Sequence, residues 1–288
     1  MSLAGITAAV IAFCAGLCLP KANRVVLGVT LAGIVICLDA VTVFAEPEPR
    51  FPTAYQIAGF IEYVGRTGHT APSLAAYFSW PGFFSAVAFG ERITGVHNLI
   101  PVMRWWPLGI DLACLVPLYL IMRNLKATWR AQWLAAFLFE VGNWVGQDYF
   151  SPQSFNYLLY LAFIAFLLTW FNWRPRARAV TLRAPPEPVA PFDRVERVER
   201  VEPVRGIRSR WRLASRVLVP GETESKPVPP AQRAVLLAIL LGIFVFSTTS
   251  HQLTPVNMTT ACLGLVVARR CGITGLPVLL AVIVTGWS

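Results

Sequence analysis

The chain has 288 residues, 56% of them hydrophobic and 14% charged, with a mean hydropathy of +0.57. A soluble domain averages about 45–50% apolar and about 25% charged residues, so this composition argues against a water-soluble globule and for the bilayer as solvent. The net charge of +10 would suit a nucleic-acid binder in a soluble protein, but here the basic residues follow apolar runs, so they read as a topology signal and no nucleic acid is expected.

Apolar runs occupy residues 3–19, 25–45, 105–122, 131–146, 153–172, 234–249, 255–268 and 275–288. Each reads as a membrane helix, against a requirement of about 20 residues per span. The first run has neither a basic n-region nor a small-residue cleavage site, so no removable signal peptide is expected. A further run, AAYFSWPGFFSAVAFG (75–90), is settled by charge. Of the 25 Lys and Arg residues, 21 follow the first, third, fifth and seventh runs, and they share the cytoplasmic side only if 75–90 does not span. The expected fold is therefore all-α: a polytopic transmembrane bundle of about eight helices in the plasma membrane, N-terminus outside.

The first long outer segment, 46–104, is expected to carry interfacial helices. Residues 54–65 are amphipathic. So are 75–99, with Trp80, Phe83 and Phe84 on the apolar side and a kink expected at Pro81-Gly82. The string MRWWP (103–107) marks re-entry into the membrane. The chain divides into three regions: an N-terminal bundle (1–172), a basic cytoplasmic linker (173–233) and C-terminal membrane helices (234–288). The linker is rich in Pro and Arg and includes RVERVERVE (194–202). Its low apolar content predicts disorder, and its charge suits anionic lipid headgroups. The six cysteines show neither disulfide nor metal spacing and read as apolar fillers. The sequence stops within the apolar LLAVIVTGWS, from which a longer protein is expected. Nothing in the sequence sets an oligomeric state.

The polar residues that stand out lie towards the outer side. The connection NWVGQDYFSPQ (143–153) holds Asn143, Gln147, Asp148, Tyr149, Ser151 and Gln153. The string SHQLTP (250–255) holds His251 and Gln252. Ser151-Pro152 and Thr254-Pro255 have the pattern of an N-cap followed by proline at N1, so each predicts a helix N-terminus facing outward. Such a terminus attracts a phosphate or carboxylate. Within the spans, Asp39, Asp111 and Glu140 each fall about 9 Å below the outer face at ~1.5 Å rise per residue. With Asn143 they suggest one outward-opening polar cavity, since a carboxylate at that depth marks a cavity or a site. Glu46 and Glu48 stand at the membrane surface in a proline-stiffened stretch, with Arg50 close by.

The strings PRFPTAYQIAGFIEYV (49–64), YFSWPGFF (77–84), NWVGQDYFSPQ (143–153) and SHQLTP (250–255) resemble the GT-C class of membrane glycosyltransferases, and within it a group of actinobacterial integral membrane proteins. The resemblance implies transfer of a sugar from a polyprenyl-phosphate donor to a cell-envelope acceptor on the extracytoplasmic face. It implies an acidic base in the first outer loop, where Glu46 or Glu48 stands; Asp148 is the third candidate. Gln153, His251 and the two helix N-termini are placed to hold the lipid phosphate. Asp148, Tyr149 and Trp80 are placed to shape the sugar pocket, and Gln147, Ser151 and Gln252 are further substrate-binding candidates. The loop carries no Asp-Asp or Asp-x-Asp pair, so no metal ligand is assigned and a divalent cofactor stays open. Expected partners are membrane lipids and the lipid-linked sugar. Two other functions compete: a transporter or flippase using Asp39, Asp111 and Glu140, and a non-catalytic or fragmentary membrane protein.

Overall fold

In a computed structural model, which describes residues 3–19, 21, 23–143, 148–172 and 229–287, every regular element is helical. Helices α1 (Leu3–Cys18) and α2 (Arg24–Val35) form a hairpin. Asn23 caps α2 by accepting from Val26 N at 3.2 Å. A π-helical turn, Ile36–Ala40, carries α2 on into α3 (Val41–Ala45). After α4 (Pro52–Thr67), a 3₁₀ turn (Ala76–Ser79) and α5 (Gly82–Thr94) come the long helices α6 (Ile100–Asn124), α7 (Trp129–Asn143) and α8 (Pro152–Trp170). The last elements are α9 (Pro230–Ser250), α10 (Thr254–Val267) and α11 (Leu276–Trp287).

Three helices, α6, α8 and α9, are long and apolar enough to cross a membrane; α1, α10 and α11 are apolar but shorter. Side chains such as Val116, Leu138 and Val267 point outward, which suits hydrocarbon as the surrounding solvent. Over the described residues all eight apolar runs fall on helices, with shifted ends. Helix α6 starts at Ile100, where Pro101 lies in the first turn and Asn98 Oδ1 accepts from Ile100 N at 3.0 Å. The MRWWP string, including Arg104, is therefore inside the helix. The amphipathic helix expected over 54–65 is α4. The one expected over 75–99 is split instead of kinked. Proline excludes its predecessor from the helical region, and Trp80 sits at φ −125°, ψ 67° before Pro81.

Three apolar cores hold the helices together. Phe13, Leu27 and Leu31 join the first hairpin to Trp133 and Phe137 of α7. Ile57, Ile61, Phe78, Phe83, Phe84 and Phe150 tie α4, α5 and the α7–α8 connection to the start of α6. Phe163, Leu167, Phe244, Met258 and Leu280 join α8 to α11. Gly82 lies where α5 meets the end of α9; a Cβ there would stand 2.5 Å from both Ser250 Oγ and Thr249 Oγ1.

The connections sort to two ends of the bundle. At one end Arg130 donates to Leu17 O (2.9 Å) and Leu19 O (2.8 Å), joining the α6–α7 turn to the α1–α2 turn. Asn124 donates to Thr169 Oγ1 at 2.9 Å, Gly272 N donates to Phe171 O at 2.7 Å, and Arg233 lies over the Phe171 ring. Lys21, Arg123, Lys126, Arg269 and Arg270 belong to this end. At the other end Arg104 donates to Val43 O, joining α6 to α3. The α7–α8 and α9–α10 connections meet there. The linker residues 173–228 lie outside the described residues.

Candidate functional site

An aromatic anchor draws the α7–α8 connection inward. Phe150 is buried, with its ring 4.9 Å from Trp106 and 5.4 Å from Phe83. Ser151 then adopts the extended N-cap conformation and accepts from Ser154 N at 3.2 Å, with Pro152 beginning α8. The Ser154 hydroxyl donates to Tyr149 O at 2.8 Å and accepts from Trp106 Nε1 at 2.9 Å. Asp148, just before this anchor, is thereby carried beneath the surface to 1% exposure.

Asp148 meets the acids of the helices there. One carboxylate oxygen from each of Asp39, Asp111 and Asp148 lies within 4.8 Å of the other two. Asp39 stands on the π-helical turn, and such turns often occur at functional sites. Asp111 projects from the middle of α6 and accepts from the Asn143 side-chain amide at the end of α7. Glu140, one turn earlier on α7, is also buried, and neither of its carboxylate oxygens has a partner among the described residues. Arg50 acts electrostatically on both Asp39 and Asp148. Burial pushes the Asp148 carboxyl above its ordinary pKa, against the pull of its own backbone N–H and Arg50.

Two cavities lie at this end of the bundle, one of them lined by the acids. One of about 370 Å³ opens onto Asp111, Asn143 and Asp148 and is walled by Tyr157, Tyr160, His251 and Asn257. The second, of about 200 Å³, is lined by Tyr77, Trp80, Tyr149, Ser151, His251 and Gln252. Gln153 and His251 line both, so they stand between a carboxylate chamber and an aromatic chamber. A third, apolar cleft of about 490 Å³ runs beside Phe83, Trp106, Phe155 and Phe246.

His251 sets the start of α10. Its Nδ1 accepts from Thr254 N at 3.2 Å and lies 2.9 Å from Thr254 Oγ1. Burial lowers its pKa, which keeps the imidazole neutral at neutral pH. With Nδ1 accepting, the neutral ring carries its proton on Nε2, as a donor. Thr254 is the first helical residue, and Leu253 occupies the N-cap without a side-chain bond. This places the start one residue from the expected cap.

Of the residues selected from sequence, Tyr149, Ser151, Gln153, His251, Gln252 and Trp80 gather around the second cavity. Asp111 and Asn143 line the first, with Asp39 and Glu140 buried within electrostatic reach of Asp111. Asp148, from the α7–α8 connection, joins Asp39 and Asp111 of the helices, a meeting that the sequence did not predict. Glu48 is exposed and accepts from the Tyr55 hydroxyl; Glu46 is exposed and lines none of these cavities. Gln147 lies outside the described residues. The sequence reading missed Tyr157, Tyr160, Asn257 and the reach of Arg50. Gln153, Tyr157 and Tyr160 are spaced i, i+4, i+7, a polar stripe on one helix face that was available as a signal. Compared with known protein families, curated proteins and solved structures, the chain matches none.

Proposed function

We propose that the chain is a membrane glycosyltransferase of the GT-C type, moving a sugar from a polyprenyl-phosphate donor to a cell-envelope acceptor. In this reading eight helices cross the plasma membrane with the N-terminus outside. The basic end of the bundle and the linker are then cytoplasmic, and the carboxylate and aromatic chambers face the extracytoplasmic side. What carries the reading is the pair of adjoining cavities: buried carboxylates in one, Tyr77, Trp80 and Tyr149 in the other, with Gln153 and His251 shared between them. Aromatic faces suit sugar rings, and the apolar cleft beside Trp106 and Phe155 suits a prenyl chain.

Asp148 is the favoured base among the three candidates, because it lines a cavity that neither Glu46 nor Glu48 reaches. The acceptor hydroxyl oxygen bonds to the anomeric carbon. The bond from that carbon to the donor phosphate oxygen breaks, its electron pair leaves with the phosphate, and the hydroxyl proton passes to the Asp148 carboxylate. A raised pKa improves Asp148 as a proton acceptor, while Arg50 favours the ionised form that a base requires. The His251 Nε2–H and the Gln153 amide are donors suited to the leaving phosphate.

The test is transfer of radiolabelled sugar from polyprenyl-phosphate-sugar in membranes containing the protein. Loss of transfer in Asp148→Asn supports the reading. Equal transfer by wild type and the Glu46→Gln, Glu48→Gln, Asp148→Asn triple variant removes these assignments. Movement of the lipid-linked sugar across proteoliposomes without any transfer would replace the proposal with transport.

A further inference from the structure

We propose that Asp39, Asp111 and Asp148 bind one divalent cation at the floor of the carboxylate chamber. The three residues are far apart in sequence and stand on three different elements, yet each brings one oxygen within 4.8 Å of the other two. All three are buried, at 2%, 1% and 1% exposure. Three carboxylates so close together repel one another, and an interior that excludes water screens that repulsion poorly. Such an arrangement persists when protons or a cation compensate it.

Asp148 gives an independent reason to favour the cation. It is nearly inaccessible, it has an oxygen directed into the cluster, and neither of its oxygens bonds to another described residue. A buried polar group left without a partner calls for one, and a cation in the cluster supplies it. The Asn143 amide, donating to Asp111, fixes one ligand from the outer side. Arg50 supplies one opposing charge to Asp39 and Asp148, fewer than three carboxylates call for.

The chemistry of the donors narrows the ion. Carboxylate oxygens with no His or Cys in the cluster suit the hard cations Mg²⁺, Mn²⁺ or Ca²⁺ over Zn²⁺ or Cu⁺. Three protein oxygens leave coordination positions open, and the 370 Å³ cavity reaches two of the three ligands. Those positions can take water or a phosphate oxygen of a lipid-linked sugar; the second role rests on the transferase reading. Each Asp contributes one oxygen to the cluster, so Asp148 retains its other oxygen for the acceptor proton.

Binding is measured directly on the full chain purified in detergent. Free Mn²⁺ is titrated by its electron paramagnetic resonance signal, with competition by Mg²⁺ and Ca²⁺. The expected result is one Mn²⁺ per chain, displaced by Mg²⁺ or Ca²⁺. Asp39→Asn and Asp111→Asn each weaken it at least about tenfold, since losing even a supporting partner of a metal ligand costs about 10–100-fold in affinity. Glu62→Gln, an exposed acid paired with Arg66, binds as wild type does. Near-ultraviolet circular dichroism reports whether each variant keeps its fold, and the wild-type stoichiometry decides the question even if a variant unfolds. Absence of stoichiometric Mn²⁺ binding by folded wild type, or unchanged binding by folded Asp111→Asn, overturns the site. Mn²⁺ binding without sugar transfer keeps the site and removes the transferase reading. Full transfer in excess EDTA does the reverse.

Discussion

Glu48 and Asp148 look alike in sequence: each is an acid in a short proline-containing connection at the same end of the bundle. The structure gives them opposite surroundings. Glu48 is exposed, its carboxylate held by the Tyr55 hydroxyl. Asp148 is 1% exposed and lies among three other buried acids. The difference comes from the residues on the C-terminal side of each acid. After Glu48 come Pro49, Arg50 and Phe51, whose ring is half-buried against the Arg50 guanidinium and the Tyr149 ring and leaves Glu48 and Arg50 exposed. Two residues after Asp148 comes Phe150, packed between Phe83 and Trp106. Burying that ring is worth about 1.5–3 kcal/mol and fixes the path of the chain two residues before it; dehydrating the carboxylate costs more than that and needs its own compensation. A loop acid is thus placed among site acids by a hydrophobic residue close to it in the chain.

The comparison breaks most directly on catalysis. Asp148→Asn is expected to lower sugar transfer by about 10²–10⁴-fold, the usual contribution of a positioned base. Glu48→Gln is expected to leave transfer near wild type. Initial rates in membranes normalised to protein content check both, and a large loss from Glu48→Gln alone would reverse the roles. Next in size is the anchor. Phe150→Ala should cost about 3–5 kcal/mol, as for large-to-small changes in a packed core, and read out as a lower melting temperature in detergent. The same variant should expose Asp148: a cysteine placed at 148 in the Phe150→Ala background should react with a water-soluble maleimide faster than one placed at 148 alone.

This anchor also marks where sequence reasoning reached its limit. Helicity, the positions of the apolar runs and the basic end were legible, because hydropathy and charge act along the chain. So was the Ser151 cap, a local hydrogen bond. The gathering of Trp80, Tyr149 and His251 followed from assigning all three to one side. The junction of Asp39, Asp111 and Asp148 was not legible. It depends on a π-turn at Ile36–Ala40, for which the sequence has no distinguishing period, and on the depth to which Phe150 sinks, set by rings on α5 and α6. The break at Pro81-Gly82 was legible in place but misread in degree.

A smaller effect is read by pH at His251, which lines both chambers. Burial lowers the His251 pKa, so its neutral form is the one bound in the fold, accepting from Thr254 N. A depressed folded pKa means that the unfolded chain binds the extra proton first. The stability from this contact is therefore complete above the unfolded value, about 6.5, and is lost as pH falls through the lower folded value. The melting temperature of wild type should fall on that acid side more steeply than that of His251→Asn. Its transfer rate should show no step from His251 near neutral pH. Parallel melting curves in the two proteins would mean that the imidazole is not held neutral at the divide between the chambers.

The smallest expected effect tests the exposed member of the pair. Tyr55→Phe removes the hydroxyl that meets Glu48. The freed Glu48 carboxylate regains hydrogen bonds from water, and an exposed contact of this kind contributes little to stability. Melting temperature and transfer rate should therefore both match wild type within error. A loss of transfer with an unchanged melting temperature would mean that the hydroxyl aims the Glu48 carboxylate at a substrate. The first outer stretch would then supply the base after all, and burial of Asp148 would serve the cation site alone.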